Sequence, residues 1–458
     1  MNNGGCSVNA ACTNTASGPS CACNPGFTGN GLQCTDLNEC LTSNGGCGMN
    51  ATCTNTPGSR TCACNTGYSG NGFNCTDINE CSGTSPCNVN ATCLNFSGSF
   101  LCLCNLGWTG DGITCTDVNE CATDAGGCHP FAGVCTNLPG SRACSCAPGY
   151  SGDGGVCADP SVSWVRQTLT GFRPSAGGGH GLATMAGGDV YLHSGSQTSL
   201  GAGQSDTFSW NGSVWTDRTT STVVARRNFG FAPAQNSALL LFGGFDTAVN
   251  GTTRADTLLL STSGWALQAP ASAPSARTWP AMAYDPLRQR TVLFGGLASP
   301  TTPLQDTWEW NGTTWFLRTP TTTPGARFGA VMSWDPVRSR IVLFGGDSFA
   351  AVSNEVWEWD GTNWAPRSVG ALKPPPRRLA GLAWNPTRQT FILHGGVDVA
   401  GTPLTDTWEL NGTTWRYMRE GPPLGATPLA WDPGLQRAIV MGPVPPPAGE
   451  VQMWKYGP

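Results

Sequence analysis

The chain has 458 residues and a net charge of −5, with only 12% charged residues, and all 23 cysteines fall between Cys6 and Cys157. No basic tract is present, which argues against nucleic acid as a partner. No stretch approaches the roughly 18 apolar residues of a membrane span. Charge divides where the cysteines stop: residues 1–160 hold ten acids against Arg60 and Arg142, and residues 161–458 hold 22 basic against 19 acidic residues.

From the N-terminus, Cys6, Cys12, Cys21, Cys23 and Cys34 precede three sets of six cysteines that begin at Cys40, Cys81 and Cys121. Each set has a single residue between its fourth and fifth cysteine, and the opening five match positions two to six of the same pattern. The C-x-x-C pairs of a zinc ribbon are absent, so the pattern is a disulfide framework. Units of about forty residues bury too little apolar surface to fold unaided, and each bridge adds about 2–4 kcal/mol. Such bridges persist only in oxidising surroundings, which points to a secreted, surface-borne or periplasmic protein. Residues 1–5 lack the charged start and apolar run of a signal peptide. Together with the half-repeat, this leads to the expectation that a signal or anchor lies upstream.

These cysteine sets resemble tandem EGF-like modules, with bounds 1–35 (truncated), 36–75, 77–115 and 117–157. Spacing alone leaves fifteen connectivities open for six cysteines. The resemblance implies first-to-third, second-to-fourth and fifth-to-sixth pairing, hence Cys40–Cys53, Cys47–Cys62, Cys64–Cys75 and their equivalents. In the truncated module it implies Cys6–Cys21 and Cys23–Cys34, leaving Cys12 unpaired.

Before three of the first cysteines recur Asp36-Leu-Asn-Glu39, Asp77-Ile-Asn-Glu80 and Asp117-Val-Asn-Glu120, and two residues after the third cysteines stand Asn55, Asn95 and Asn137. This resembles the calcium-binding class of EGF-like module, in which the Asp, the Glu and the Asn donate side-chain oxygens. Calcium takes six to eight hard oxygens, backbone carbonyls completing the shell, and extracellular modules bind it at roughly 10⁻⁴–10⁻³ M. Asn14 lacks the acidic partners, so no site is expected in the first module. The family's aromatic residue before the fourth cysteine is present as Phe100, whereas Arg60 and Arg142 replace it, which suggests weaker shielding in those two modules. Phe27, Tyr68, Trp108 and Tyr150 follow the fifth cysteines. In the family such a ring packs on the next module, and the resemblance implies a semi-rigid rod stiffened by calcium.

After Cys157 the period changes. Trp164, Trp215, Trp265, Trp315, Trp364 and Trp415 are spaced by 51, 50, 50, 49 and 51 residues. Leu-Phe-Gly-Gly ends at Gly244, Gly296 and Gly346, Leu-His-Gly-Gly ends at Gly396, and aromatic-Asp/Asn-Pro turns recur at Tyr284, Trp334, Trp384 and Trp431. Residues 161–458 resemble the kelch repeats of β-propellers such as the central domain of galactose oxidase. Ser194-Gly195 and Gly442-Pro443 are relics of the Gly-Gly pair and bring the count to six repeats. The last repeat stops before its fourth strand and the first begins with an orphan strand at 162–169. The expected fold is therefore all-β: a disulfide-rich EGF-like rod and a six-bladed propeller closed by its N-terminal strand. Asn211-Gly212, Asn311-Gly312, Asp360-Gly361 and Asn411-Gly412 predict two-residue type I′ hairpins.

The copper chemistry of galactose oxidase needs histidines, tyrosines and a cysteine, but this region has no Cys and only His180, His193 and His394. His193 and His394 take the slot of Phe242, Phe294 and Phe344 and are read as core residues. Asp206, Asp256, Asp306 and Asp406, with Arg277, Arg327 and Arg377, recur with the blade period and are read as blade-joining ion pairs or turn anchors. What breaks the repeat is the loops 245–255, 297–305, 347–353 and 397–405, candidates for one binding face. The expected function is that of a non-enzymatic extracellular calcium-binding adhesion or ligand-binding protein, its EGF-like rod presenting a kelch propeller that binds a protein or glycan. The alternative is a carbohydrate-active enzyme using Asp246, Asp347 and Asp398 as acid and base, and a third reading is a passive matrix component.

Overall fold

The computed structural model describes residues 3–169, 174, 178–193, 195, 205–220, 223–246, 251–443 and 451–458. Ser194 of the first Gly-Gly relic and residues 247–250 of the first variable loop lie outside the described residues. Strands and short 3-10 turns make up the described chain, with no α-helix among the described residues. Two compact units result, Met1–Gly126 with Cys135–Ala143, and Gly127–Val134 with Cys144–Pro458.

In the first unit disulfides replace a core. The first three modules each carry a long hairpin, Ala10–Thr15 with Gly18–Cys23, Ala51–Thr56 with Ser59–Cys64, and Ala91–Phe96 with Ser99–Cys104. A short hairpin follows each, Phe27–Gly29 with Cys34–Asp36, Tyr68–Gly70 with Cys75–Asp77, and Trp108–Gly110 with Cys115–Asp117. All eleven disulfides in the chain have the implied pairing: two in the truncated module and three in each complete one. Cys12 is free and exposed.

The second unit contains six four-stranded antiparallel sheets. The first five begin at Gly181, Gly230, Ala281, Val331 and Gly381 and run in chain order. The sixth comprises Leu429–Asp432, Arg437–Pro443 and Val451–Gly457, and its fourth strand is Ser163–Gln167, paired from Ser163↔Gly457 to Gln167↔Met453. The orphan strand thus completes the last sheet. The aromatic-Asp-Pro motif has a local cause: Asp285 Oδ1 accepts the N–H groups of Leu287 and Arg288, at 3.0 Å each, and Asp335, Asn385 and Asp432 repeat the turn. Both residues of each Gly-Gly pair have positive φ. At Gly295 a Cβ would lie 2.4 Å from the Arg327 carbonyl oxygen, so only glycine lets the neighbouring backbone approach.

Six apolar clusters hold the sheets together, each shared by two consecutive sheets, and one of them joins the sixth to the first. Across four of these seams a fourth-strand indole donates to a third-strand hydroxyl of the adjacent sheet. The pairs are Trp265–Thr207 (2.9 Å), Trp315–Thr257 (3.0 Å), Trp364–Thr307 (2.9 Å) and Trp164–Thr407 (2.9 Å). At the two remaining seams the threonine position holds Val356 and Met453, as the strand registers show. Trp415 and Trp215, whose indoles face those seams, are buried with Nε1 lacking a hydrogen-bond partner. The innermost segments are linked as well. Asn228 N–H donates to Gly179 O (2.9 Å), Trp279 to Asn228 (2.7 Å), Gly329 to Trp279 (3.1 Å) and Leu379 to Gly329 (2.7 Å). All five residues have left-handed φ, between 50° and 75°.

One turn expectation fails. Type I′ needs positive φ at both central residues, yet only the glycine of each Asn/Asp-Gly pair is left-handed. Asn311 instead accepts the N–H groups of Thr313 and Thr314 through Oδ1, both at 2.9 Å. The side chain caps a wider loop that the I′ geometry does not provide.

His193 and His394 are buried core residues as read, each with Nδ1 on the hydroxyl of the seam threonine, Thr207 at 3.0 Å and Thr407 at 3.1 Å. His394 Nε2 faces the Pro422 carbonyl at 3.3 Å and so carries the ring proton, which leaves Nδ1 to accept the Thr407 hydroxyl. Burial, chiefly, pulls the imidazole pKa from 6.5 to about 3 for His193 and about 4 for His394.

Two predictions arise here. Val356→Thr gives Trp415 an acceptor and should raise unfolding stability by about 1 kcal/mol, while Thr307→Val should lower it by about 1–3 kcal/mol; denaturant titration measures both. Because the folded pKa of each histidine is lowered, the unfolded chain takes up the proton first. Stability is therefore full above pH 6.5 and declines as the pH falls toward 4. His193→Phe with His394→Phe should flatten the fall in melting temperature across that window.

Candidate functional site

Asp36, Asp77 and Asp117 end the short hairpins and lie directly opposite Phe27, Tyr68 and Trp108. The strand register thus delivers a carboxylate and a ring to the same joint. The aspartate Oδ2 accepts Nδ2–H from Asn55 (2.6 Å), Asn95 (2.7 Å) or Asn137 (2.6 Å) in the next module's long hairpin. Oδ1 accepts the N–H of Gly58 (2.5 Å), Gly98 (2.6 Å) or Gly140 (2.5 Å) at the tip of that hairpin. The rings pack on these glycines: a Cβ at Gly58 would lie 2.5 Å from Phe27, at Gly98 2.6 Å from Tyr68, and at Gly140 2.3 Å from Trp108. The Gly98 N–H, and then the Asn95 amide, hold the Asp77 carboxyl below its ordinary pKa.

Glu39, Glu80 and Glu120 follow three residues after each aspartate. The intervening Asn38, Asn79 and Asn119 fix the turn by accepting the N–H of Cys40, Cys81 and Cys121. In all three modules the glutamate Oε2 is buried without a hydrogen-bond partner, and so is Asn55 Oδ1. A buried carboxylate oxygen left unpaired is unfavourable unless a cation takes it. The recurrence at three equivalent joints fits calcium, whose hard-oxygen preference matches carboxylate plus amide. No group of three His, Cys, Asp or Glu side chains able to hold a metal exists among the described residues, so a cation at a joint would have to draw on amide and carbonyl oxygens beside the two acids. Where the third module has Phe100, Arg60 and Arg142 lay their stems on Gly45 and Gly126, and Arg60 reaches the Phe73 ring at 6.0 Å.

In the second unit the four variable loops meet. A pocket of about 580 Å³ is lined by Phe245, Leu297, Phe349 and Val397 from the loops, with Arg227, Trp279, Phe328 and Arg378 at its walls. It shares Arg227, Asn228, Trp279 and Leu379 with a cavity of about 500 Å³ lined by the innermost segments of all six sheets. Three of the pocket residues belong to no sequence motif: Phe328 and Arg378 directly follow the repeated arginines, Trp279 stands two residues after Arg277, and only the sheet arrangement gathers them.

The acidic residues considered for catalysis are each engaged locally. Asp246 is buried 3.5 Å from Arg254, Asp347 is buried against Arg378, and Asp398 accepts the N–H groups of Ala400 (2.9 Å) and Thr402 (2.8 Å) in its own loop. The periodic ion pairs act within a repeat: Arg226–Asp256 (2.6 Å), Arg277–Asp306 (2.7 Å), Arg327–Glu355 (3.0 Å) and Arg377–Asp406 (2.5 Å). The joining runs instead through backbone, since Arg277, Arg327 and Arg377 accept the N–H of Gly244, Gly296 and Gly346 from the preceding sheet. Arg226 and Glu355 complete the series and were hidden by flanking substitutions.

Comparison with known proteins bears on the modules. Residues 1–34, 40–75 and 121–157 match the family model of the EGF domain, and residues 77–115 that of the calcium-binding EGF domain. Residues 231–430 match the KLHDC2/KLHL20/DRC7 Kelch-repeats domain. The chain thus joins EGF-like modules, a calcium-binding one among them, to a kelch-repeat domain. Among curated proteins, cartilage oligomeric matrix protein of Rattus norvegicus is 55% identical over 38 residues, 8% of this chain and 5% of the relative, so the chain matches a small part of that protein's length. No helix of the described residues is long and apolar enough to cross a membrane.

Calorimetric titration with calcium should show about three ions bound at millimolar concentration. Asp77→Ala with Glu80→Ala should reduce this to about two. Unchanged stoichiometry in the variant would remove the joints as the binding sites.

Proposed function

We propose that this is an extracellular, non-enzymatic interaction protein in which calcium-binding EGF-like modules carry a kelch propeller that binds a partner protein. Calcium is held at Asp36, Glu39 and Asn55, at Asp77, Glu80 and Asn95, and at Asp117, Glu120 and Asn137, between the modules 1–35, 36–75, 77–115 and 117–157. The orphaned glutamate oxygens at the three joints support this assignment. Residues 161–458 form six blades closed by Ser163–Gln167; the apolar seam between the sixth and first sheets supports the closure.

The observation that carries the binding role is the convergence of four dissimilar loops on one pocket. Repeats that are otherwise alike differ where a ligand is met once rather than four times. Asp246 and Asp398 are tied into their own loops and Asp347 is paired with Arg378, which favours binding over acid–base chemistry. Eleven disulfides support an oxidising, extracellular setting.

The test is a screen of the full chain, with calcium, against an array of secreted and surface proteins, in parallel with a Phe349→Arg, Val399→Arg variant. Both residues are more than half exposed, so the fold should persist with an unchanged melting temperature. A partner bound by the wild type and lost from the variant is expected. Partners retained equally by both proteins would show that the loop face is not the binding surface.

A further inference from the structure

The pocket between the loops contains a feature the fold does not require. Gly179, Asn228, Trp279, Gly329 and Leu379 hold equivalent places in the inner chain of inter-sheet hydrogen bonds, all with left-handed φ. Glycine adopts that conformation freely, whereas a bulky residue is strained in it. Two repeats do use glycine, so the backbone bond itself asks for nothing larger. Trp279 at φ 50° and Leu379 at φ 59° are nevertheless kept, and both line the pocket. Phe349, at φ 66° and 54% exposed, is a third strained bulky residue on the same wall. Strain of this kind persists where the side chain it presents is used.

What these side chains present is an aromatic box with cationic rims. Phe328 stacks between Trp279 (5.8 Å between centroids) and Phe349 (4.9 Å). The Arg378 guanidinium stands over Phe328 at 5.9 Å, and that of Arg227 over Phe245 at 5.6 Å. A flat apolar group placed against this row lies beside a guanidinium; the planar fork of Arg227 matches a carboxylate, while that of Arg378 already holds Asp347.

We propose that this pocket is the anchor site for an aromatic side chain of the partner protein flanked by an acidic residue. This deepens the loop-face reading and rests on it. The ring packs on the open side of the Trp279–Phe328–Phe349 row, in the pocket these residues line, and the neighbouring carboxylate meets the Arg227 guanidinium at the rim beside Phe245. Trp279 and Leu379 are thus retained for recognition at the expense of backbone comfort.

The experiment uses the full chain and three blocked probe peptides, Ala-Ala-Phe-Asp-Ala-Ala and its Phe→Ala and Asp→Asn versions, titrated by calorimetry. The parent peptide should bind saturably, with each altered peptide at least about tenfold weaker, a 1.4 kcal/mol difference. Trp279→Gly should lose the parent peptide by a similar factor while its melting temperature stays level or rises, because glycine relieves the strain. Phe349→Ala, at an exposed position, should also weaken binding without unfolding. Equal binding of the Phe and Ala peptides, or wild-type affinity in both variants, overturns the proposal. A marked fall in the melting temperature of Trp279→Gly would likewise overturn it, since the tryptophan would then be held for packing. If the array partner is lost on loop substitution but no probe binds, the loop face stands and the aromatic anchor does not.

Discussion

A four-stranded sheet has two faces, and in the C-terminal unit both are apolar. No sheet can cover itself, so each depends on the two beside it, and the seams decide everything else about the domain. A seam needs large side chains to fill it and leaves polar ends that must still be satisfied. The tryptophan of the fourth strand does the filling, and the threonine of the adjacent third strand takes its N–H. The Gly-Gly pairs let the sheets approach closely enough for this, and the carbonyls of Arg277, Arg327 and Arg377 bind the pairs from the next repeat. Variation is then free to collect in the loops beyond Gly-Gly, where no seam passes.

The N-terminal unit solves the same problem without seams. Almost nothing in it is buried, and its cross-links do what a core does elsewhere. Its joints are built on a single strand register that sets an aspartate opposite an aromatic ring. Both then fall on the glycine-tipped hairpin of the next module, with the unpaired glutamate oxygen close by in sequence. A calcium ion held at these joints, as proposed, would act on the same contact as the ring packing, and a change in either would alter how firmly consecutive modules are held.

Covalent and periodic features were legible from the residues alone. Cysteine spacing led to the disulfides through the family likeness, and tryptophan spacing led to six repeats and the completing strand at Ser163–Gln167. Features set by three-dimensional proximity were not. The Asn-Gly dipeptide predicts a tight turn, but at Asn311 side-chain capping holds a wider loop. The periodic Arg–Asp pairs were recognisable as structural, yet whether they acted within or between repeats depended on the sheet arrangement. Trp279, Phe328 and Arg378 are dispersed in sequence and left no motif. One clue lies in the repeat alignment: where two repeats have Gly179 and Gly329, two others have Trp279 and Leu379.

The fourth EGF-like module ends differently from the others. Phe131 packs on Trp408 at 4.8 Å, and the Tyr150 hydroxyl donates to the Tyr417 carbonyl at 2.7 Å. Asp159 then gives its N–H to Met418 O and pairs with Arg416, before the chain enters the strand Ser163–Gln167. Cys157 and Ala132 lie in the same apolar cluster as the fifth sheet. A mechanical pull arriving along the backbone from the N-terminal side is therefore taken up by the fifth sheet first. The strand that completes the sixth sheet sits downstream of that anchor and is shielded from tension until the anchor yields.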